Sequence, residues 1–186
     1  MMSKRAQKLN LIVFMMTSFA CYQGARRGGV WLGLGPTALA VHWALFVPAT
    51  PDKVRRIIVA LMAGVSGFLC DTALIAANVY VVRESSRGFL PAPLCPEWIL
   101  TLWLNFGFML YLYRGVLTRR RWTASVTGAV FSFVIMGNAS RMGLVFFDDP
   151  VVLKYMIIAV CWAILVPLQA WLANRIIGGT QVETQS

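Results

Sequence analysis

Residues 57–82 read IIVALMAGVSGFLCDTALIAANVYVV, and Asp71 is the one charge that breaks their apolar character. Crossing a bilayer takes about 20 predominantly apolar residues in a helix, because each residue adds only about 1.5 Å of rise. This stretch is therefore expected to be a transmembrane helix. Five more apolar runs flank it, at about Leu9–Gly24, Val30–Pro48, Pro96–Leu117, Ala124–Phe147 and Val151–Asn174. Proline punctuates the divisions: Pro48 and Pro51 follow the second run, Pro91, Pro93 and Pro96 precede the fourth, and Pro150 precedes the sixth. The sequence thus predicts an all-α polytopic membrane protein. It would be a single integral-membrane domain over residues 1–186, a bundle of six transmembrane helices with short connections.

Composition agrees with that reading. Of the 186 residues 59% are apolar and only 13% charged, against about 25% charge in a soluble domain, and mean hydropathy is +0.69. A water-soluble globule, a disordered chain, a collagen and a soluble metalloenzyme are all excluded. A net charge of +10 would suggest nucleic acid in a soluble protein. Here the basic residues form short clusters between apolar runs, as loops beside an anionic membrane surface do, so no nucleic-acid partner is expected.

Lysine and arginine concentrate in cytoplasmic loops. With the N-terminus inside, the cytoplasmic segments hold Lys4, Arg5, Lys8, Lys53, Arg55, Arg56, Arg114, Arg119, Arg120, Arg121 and Arg175. The outer side then holds only Arg26, Arg27, Arg83, Arg87, Arg141 and Lys154, together with the acidic Glu84, Glu97, Asp148 and Asp149. The expected topology is N-in, C-in. Tyr22, Trp31, Tyr80 and Trp98 fall near the outer interface, and Trp122 and Trp171 near the inner one. A rival reading makes Lys4, Arg5 and Lys8, followed by Leu11–Phe19, a signal peptide cleaved at Ser18-Phe19-Ala20-Cys21, which would leave five helices. The cleavage-site match is poor and Arg26 and Arg27 follow at once, so the first helix is expected to stay.

An unpaired carboxylate near the middle of a span costs about 2.5–3.5 kcal/mol on insertion scales, so Asp71 must be protonated, paired or facing water. Gly64, Gly67, Asp71 and Asn78 fall at i, i+3, i+7 and i+14, which gives their helix one small, polar face turned toward the bundle. Two readings stand side by side. In one, the glycines permit close packing and Asp71 bonds a neighbouring helix; in the other, Asp71 is a functional acid. Asn105, with Thr101 one turn away, lies at a similar depth. Arg141 is either the partner of Asp71, if the fifth helix runs on to Phe147, or an interface anchor, if that helix ends near Asn138. By depth, Tyr22, Gln23, Asn78, Glu97, Asn105, Asn138 and Arg141 lie toward the outer side with Asp71 beneath them, outlining a polar cavity that opens outward. The ligand-binding candidates are Asp71, Asn78, Asn105, Arg141, Asn138, Trp98, Trp103 and Glu97.

Other chemistry is poorly supported. His42 is the sole histidine, which leaves no cluster for haem or zinc, and Cys21, Cys70, Cys95 and Cys161 lack metal-site spacing. No cofactor and no metal are expected. Gly64-Val65-Ser66-Gly67 has the form of a nucleophilic serine motif at the depth of His42, but a mid-helix serine bonds the carbonyl one turn back and no oxyanion hole is readable. Its likeness to rhomboid proteases ends with that tetrapeptide, since no histidine follows in a later helix. Ala20 with Gly24, and Gly64 with Gly67, have helix-packing spacing, for use within the bundle or against a second membrane protein. Gln23-Gly24-Ala25-Arg26-Arg27-Gly28 and Gly137-Asn138-Ala139-Ser140-Arg141-Met142-Gly143 look alike, yet lie in the first and fifth runs, which a three-plus-three inverted repeat would not pair.

Several stretches together resemble a bacterial family of small multi-pass inner-membrane proteins, domain of unknown function twenty-eight seventy-eight. They are Asn10-Leu11-Ile12-Val13-Phe14, Gly67-Phe68-Leu69-Cys70-Asp71-Thr72, Cys95-Pro96-Glu97-Trp98 leading to Leu102-Trp103-Leu104-Asn105-Phe106, and Ala139-Ser140-Arg141-Met142-Gly143. The resemblance covers nearly the whole chain and implies that Asp71, Pro96, Trp98, Trp103, Phe106 and Gly143 are family positions. It further implies the bacterial inner membrane and a membrane-lipid or stress-response setting, but no activity. The Gly-Pro usual in the family's fifth span is absent around Ser132 to Gly137.

The function expected from these residues is non-enzymatic: binding or moving a small amphiphile or lipid through an outward-facing polar cavity floored by Asp71. Membrane lipid is the expected partner, with a second membrane protein as a further one. The six-span size looks like the substrate-capture subunits of vitamin importers, an analogy of architecture alone. One alternative is an accessory or structural subunit of a membrane complex. Another is a membrane-embedded lipid-modifying enzyme with Asp71 as acid or base and Arg141 on a phosphate or carboxylate; no catalytic residue is assigned.

Overall fold

Helices form where the apolar runs lie. The computed structural model describes residues 4–48, 52–118 and 120–178, and its six long helices are α1 Lys4–Arg27, α2 Leu34–Phe46, α3 Lys53–Ala76, α4 Glu97–Leu117, α5 Arg121–Arg141 and α6 Val151–Gly178. Pro51 and Arg119, and the side chains of Lys4, Arg5, Arg114 and Arg121, fall outside the described residues. Short 3-10 turns cover Gly29–Gly33 and Glu84–Ser86. Two-residue strands, β1 Val81–Val82 and β2 Val145–Phe146, pair antiparallel with Val81 opposite Phe146 and Val82 opposite Val145. The fold is otherwise helical.

Four segments are long and apolar enough to cross a membrane: Gly29–Phe46, Lys53–Ala76, Trp122–Arg141 and Val151–Gly178. They mark the chain as a membrane protein. Large apolar side chains such as Leu69, Val130, Val160 and Ile164 point outward from these segments, an arrangement water would penalise and lipid does not.

Two helices end earlier than their apolar runs. The third stops at Ala76 rather than Val82, because the N–H of Asn78 bonds the Ile75 carbonyl and the N–H of Val79 reaches back to Leu74, each at 2.9 Å. This is the paired reverse bonding of a Schellman cap, and Asn78 takes the left-handed position it requires, at φ 53°. The fifth stops at Arg141 rather than Phe147 through the same device, with Gly143 at φ 67° and bonds from Gly143 to Ser140 and from Leu144 to Ala139. The released β-branched and aromatic residues then pair as β1 and β2, tying the two helix ends together. Apolar character extends past both caps, so hydropathy alone could not locate them.

Helix α4 packs along α3, α5 packs along α6, and α1 packs against α2 and α4, while α6 also touches α3 and α4. Between α1 and α5 there is almost no contact. At one end of the bundle Arg55 donates to the Ile177 carbonyl and Asn174 donates to Thr118, gathering the start of α3 with the ends of α4 and α6. The ends of α3 and α5 meet at the other end through the β pair. The largest core cluster, with Tyr80, Cys95, Trp98, Ile158 and Trp162, lies toward this second end.

Candidate functional site

The face of α3 that carries Gly64 and Gly67 is the face that packs on α4. A Cβ added at Gly67 would fall 2.0 Å from the Trp103 ring, and one at Gly64 would fall 2.4 Å from Leu104. Neither separation is physically possible, so the absence of a side chain at Gly67 admits the Trp103 indole between the helices, and its absence at Gly64 admits Leu104. There the Trp103 Nε1–H donates to Asp71 Oδ2 at 2.5 Å. Asp71 is fully buried. The Tyr80 hydroxyl and the Trp162 indole N–H approach the same carboxyl, and both are buried donors without a hydrogen-bond partner among the described residues. Burial, with the Asp71 carboxylate adding to it, pushes the Tyr80 hydroxyl and the Cys95 thiol up, so both stay protonated. Asp71 is thus surrounded by aromatic donors, with no ion-pair partner among the described residues.

A second polar joint unites α4 with α1 and α2. Asn105 on α4 donates to the Phe14 carbonyl at 3.0 Å and to Ser18 Oγ at 3.1 Å, both on α1, and its Oδ1 lies 3.1 Å from His42 Nδ1 on α2. His42 is a bonded packing residue, edge-on to Phe46 and Phe108. Ser66 donates to the Met62 carbonyl one turn back and accepts from Gln169 of α6, so it and His42 are engaged separately and form no dyad. Arg56, expected in a cytoplasmic loop, is instead fully buried in the first turns of α3, stacked 3.6 Å from the Phe108 ring centroid and donating to the Phe46 carbonyl. The apolar stem and planar head of arginine suit that stacking.

The remaining candidates scatter. Asn78 is exposed in its cap, not on a helical face that includes Asp71. Arg141 is exposed in the last turn of α5, which stops short of Phe147, and forms no ion pair with Asp71, so of the two alternatives the pairing is the one set aside. Glu97 opens α4 and its carboxylate accepts the backbone N–H groups of Gly88, Phe89 and Leu90, holding the preceding loop. All four cysteines are free thiols, Cys21 and Cys95 included.

What the helices do enclose is apolar. A cavity of about 650 Å³ lies between α1, α4, α5 and α6, within the usual range of ligand sites, about 300–1,000 Å³. Its floor is α4, with Trp98, Ile99, Leu102, Trp103 and Phe106; α1 and α5 are its walls, and Trp162 and Val166 close the back. Of the candidates, Trp98, Trp103 and Asn138 line it, whereas Asp71, Asn78, Glu97, Asn105 and Arg141 do not. The expected polar cavity floored by Asp71 is therefore replaced by an apolar one floored by the indole that Asp71 holds. Toward one end the walls touch, where the Tyr22 hydroxyl donates to the Ile135 carbonyl at 3.3 Å. Along its length the cavity lies open between the walls, with Met15 62%, Phe19 56% and Val134 52% exposed.

Sequence reasoning missed Tyr80 and Trp162 around Asp71, and the apolar wall residues. The only signal for the first pair was that each carries one polar atom on an otherwise apolar body, and a buried Tyr or Trp usually finds an acceptor. A helix periodicity cannot say which of several apolar stripes borders an empty space.

A family model described as "Protein of unknown function (DUF2878)" matches residues 7–168. The chain belongs to this family, and the resemblance read from its motifs is confirmed. The fold and site so far define a helical membrane protein of uncharacterised function. No curated protein and no solved structure matches it.

Proposed function

We propose that this protein binds a small amphiphile or lipid in the groove between α1, α4 and α5, with the bundle standing in the bacterial inner membrane as six spans. The supporting observation is the apolar cavity itself: about 650 Å³, floored by packed aromatic rings and unwalled where α1 and α5 part. An acyl chain entering sideways from the bilayer would meet mostly apolar and aromatic surface there, with Ser18, Tyr22 and Asn138 the polar residues of the lining. Helices α1 and α4, of 24 and 21 residues, reach about 36 and 31 Å at 1.5 Å per residue, enough to span a hydrocarbon core. With both counted, the excess of basic residues puts both termini in the cytoplasm. The first helix is retained in this reading, because Tyr22 and Ser18 form part of the groove. The end where α3 and α5 meet then faces outward.

Val134→Trp tests this. Val134 is a half-exposed wall residue, so a larger side chain should fill the groove without disturbing the core. Native mass spectrometry with lipid extraction, on protein purified gently from its own membranes, should find a defined amphiphile on the wild type and not on the variant. Equal bulk phospholipid on both would overturn the reading and favour an accessory subunit whose polar joints only hold helices.

A further inference from the structure

We infer that the groove selects an anionic lipid, its phosphate or carboxylate headgroup held at the outer mouth by Arg26 and Arg141. The inference rests on the groove reading above and names its ligand class. Both arginines sit in the last turns of the two helices that wall the groove. Arg26 follows the wall residue Phe19 by seven positions, and Arg141 follows the wall residue Val134 by seven. Seven residues is almost two full turns, so each arginine continues the groove-facing side of its helix beyond the cavity.

Both side chains are exposed, and neither has an acidic, aromatic or hydrogen-bonding partner among the described residues. Arg83 is likewise exposed but lies outside the groove walls, and the other neighbours differ. Arg27 stacks on Trp31, Arg87 bonds the Leu94 carbonyl and lies near Glu84, and Lys154 pairs with Asp148. Three of the four acidic groups of the outer end are engaged, Glu97 by the loop and Asp148 and Glu84 by those partners, while Asp149 is exposed in the turn before α6.

The two local stretches that look alike in the sequence now have a shared place. Each ends a groove wall with an arginine and a glycine at positive φ, Gly28 at 68° and Gly143 at 67°. Below the arginines, the Tyr22 hydroxyl and the Asn138 side chain are the polar groups near the rim. An apolar trough capped by two free guanidinium groups is complementary to an acyl chain ending in a negative head.

The test uses the full chain in mild detergent, titrated separately with phosphatidylglycerol and phosphatidylcholine of the same acyl chains and read by native mass spectrometry. Wild type should prefer phosphatidylglycerol by roughly tenfold. Arg26→Gln with Arg141→Gln should bring the two lipids to parity while binding persists, and each single variant should lose part of the preference. Arg83→Gln, an exposed arginine of the same end outside the groove walls, should change nothing. Inorganic phosphate at millimolar concentration should not displace the bound lipid, since the chain anchors it. No preference in wild type, a preference that survives the double variant, or displacement by phosphate alone would each overturn the headgroup assignment. Loss of lipid binding in Val134→Trp alongside any of those results would leave the groove reading standing, so the two failures are distinguishable.

Discussion

The two faces of α4 are opposites. Toward α3 the packing is so close that glycine is required at three positions, Gly64, Gly67 and Gly107, and one oxygen of the buried Asp71 carboxyl accepts from Trp103 across the joint. Toward α1 and α5 the same helix presents Ile99, Leu102 and Phe106 to open space, and the walls meet at little more than the Tyr22 hydroxyl. Polar residues in this bundle hold helices together, and apolar ones border the space a ligand could use. In lipid the hydrophobic effect does not drive helices together, so close packing and hydrogen bonds must do so. A polar side chain is therefore spent on assembly first.

The largest test of that contrast is Gly67→Leu. Its side chain must displace the Trp103 indole, and overpacking of this kind should cost about 3 kcal/mol, read as a large drop in melting temperature in detergent. An unchanged melt would mean that the α3–α4 joint is not the rigid half. Next comes Asp71→Leu, which leaves the Trp103 N–H buried without an acceptor and should destabilise by about 1–3 kcal/mol. Asp71→Asn retains an acceptor oxygen and should cost less than half as much. If the two behave alike in stability, the hydrogen bond is not what Asp71 contributes. Smallest is Tyr22→Phe, which removes one 3.3 Å bond worth about 0.6 kcal/mol. It should barely move the melt, yet speed exchange of bound lipid, measured by dilution of labelled lipid. Slower or unaltered exchange would show that the walls are fixed by other contacts.

How much was legible depends on the kind of signal. Six helices, the membrane and the family all follow from features that persist along the chain: run length, charge spacing and short motifs. The small face of α3 was legible because Gly64, Gly67 and Asp71 repeat at helical spacing. Asn78 was placed on that face wrongly, since its left-handed cap depends on where reverse bonds form, not on hydropathy. Trp103 was singled out, but its role was not, because nothing in its own run says that Asp71 lies opposite.

The sequence by itself determined that this chain is a helical membrane protein and that Asp71 had to be protonated, paired or facing water, because apolar length and the cost of a buried carboxylate are local quantities. Only the tertiary structure decided that the partner is an indole rather than Arg141, that Arg56 is buried against Phe108, and that the cavity is apolar. Those outcomes depend on which helix faces pack and which pair, α1 and α5, stays apart. Packing between distant segments follows from shape, and shape is not written in any single run of residues.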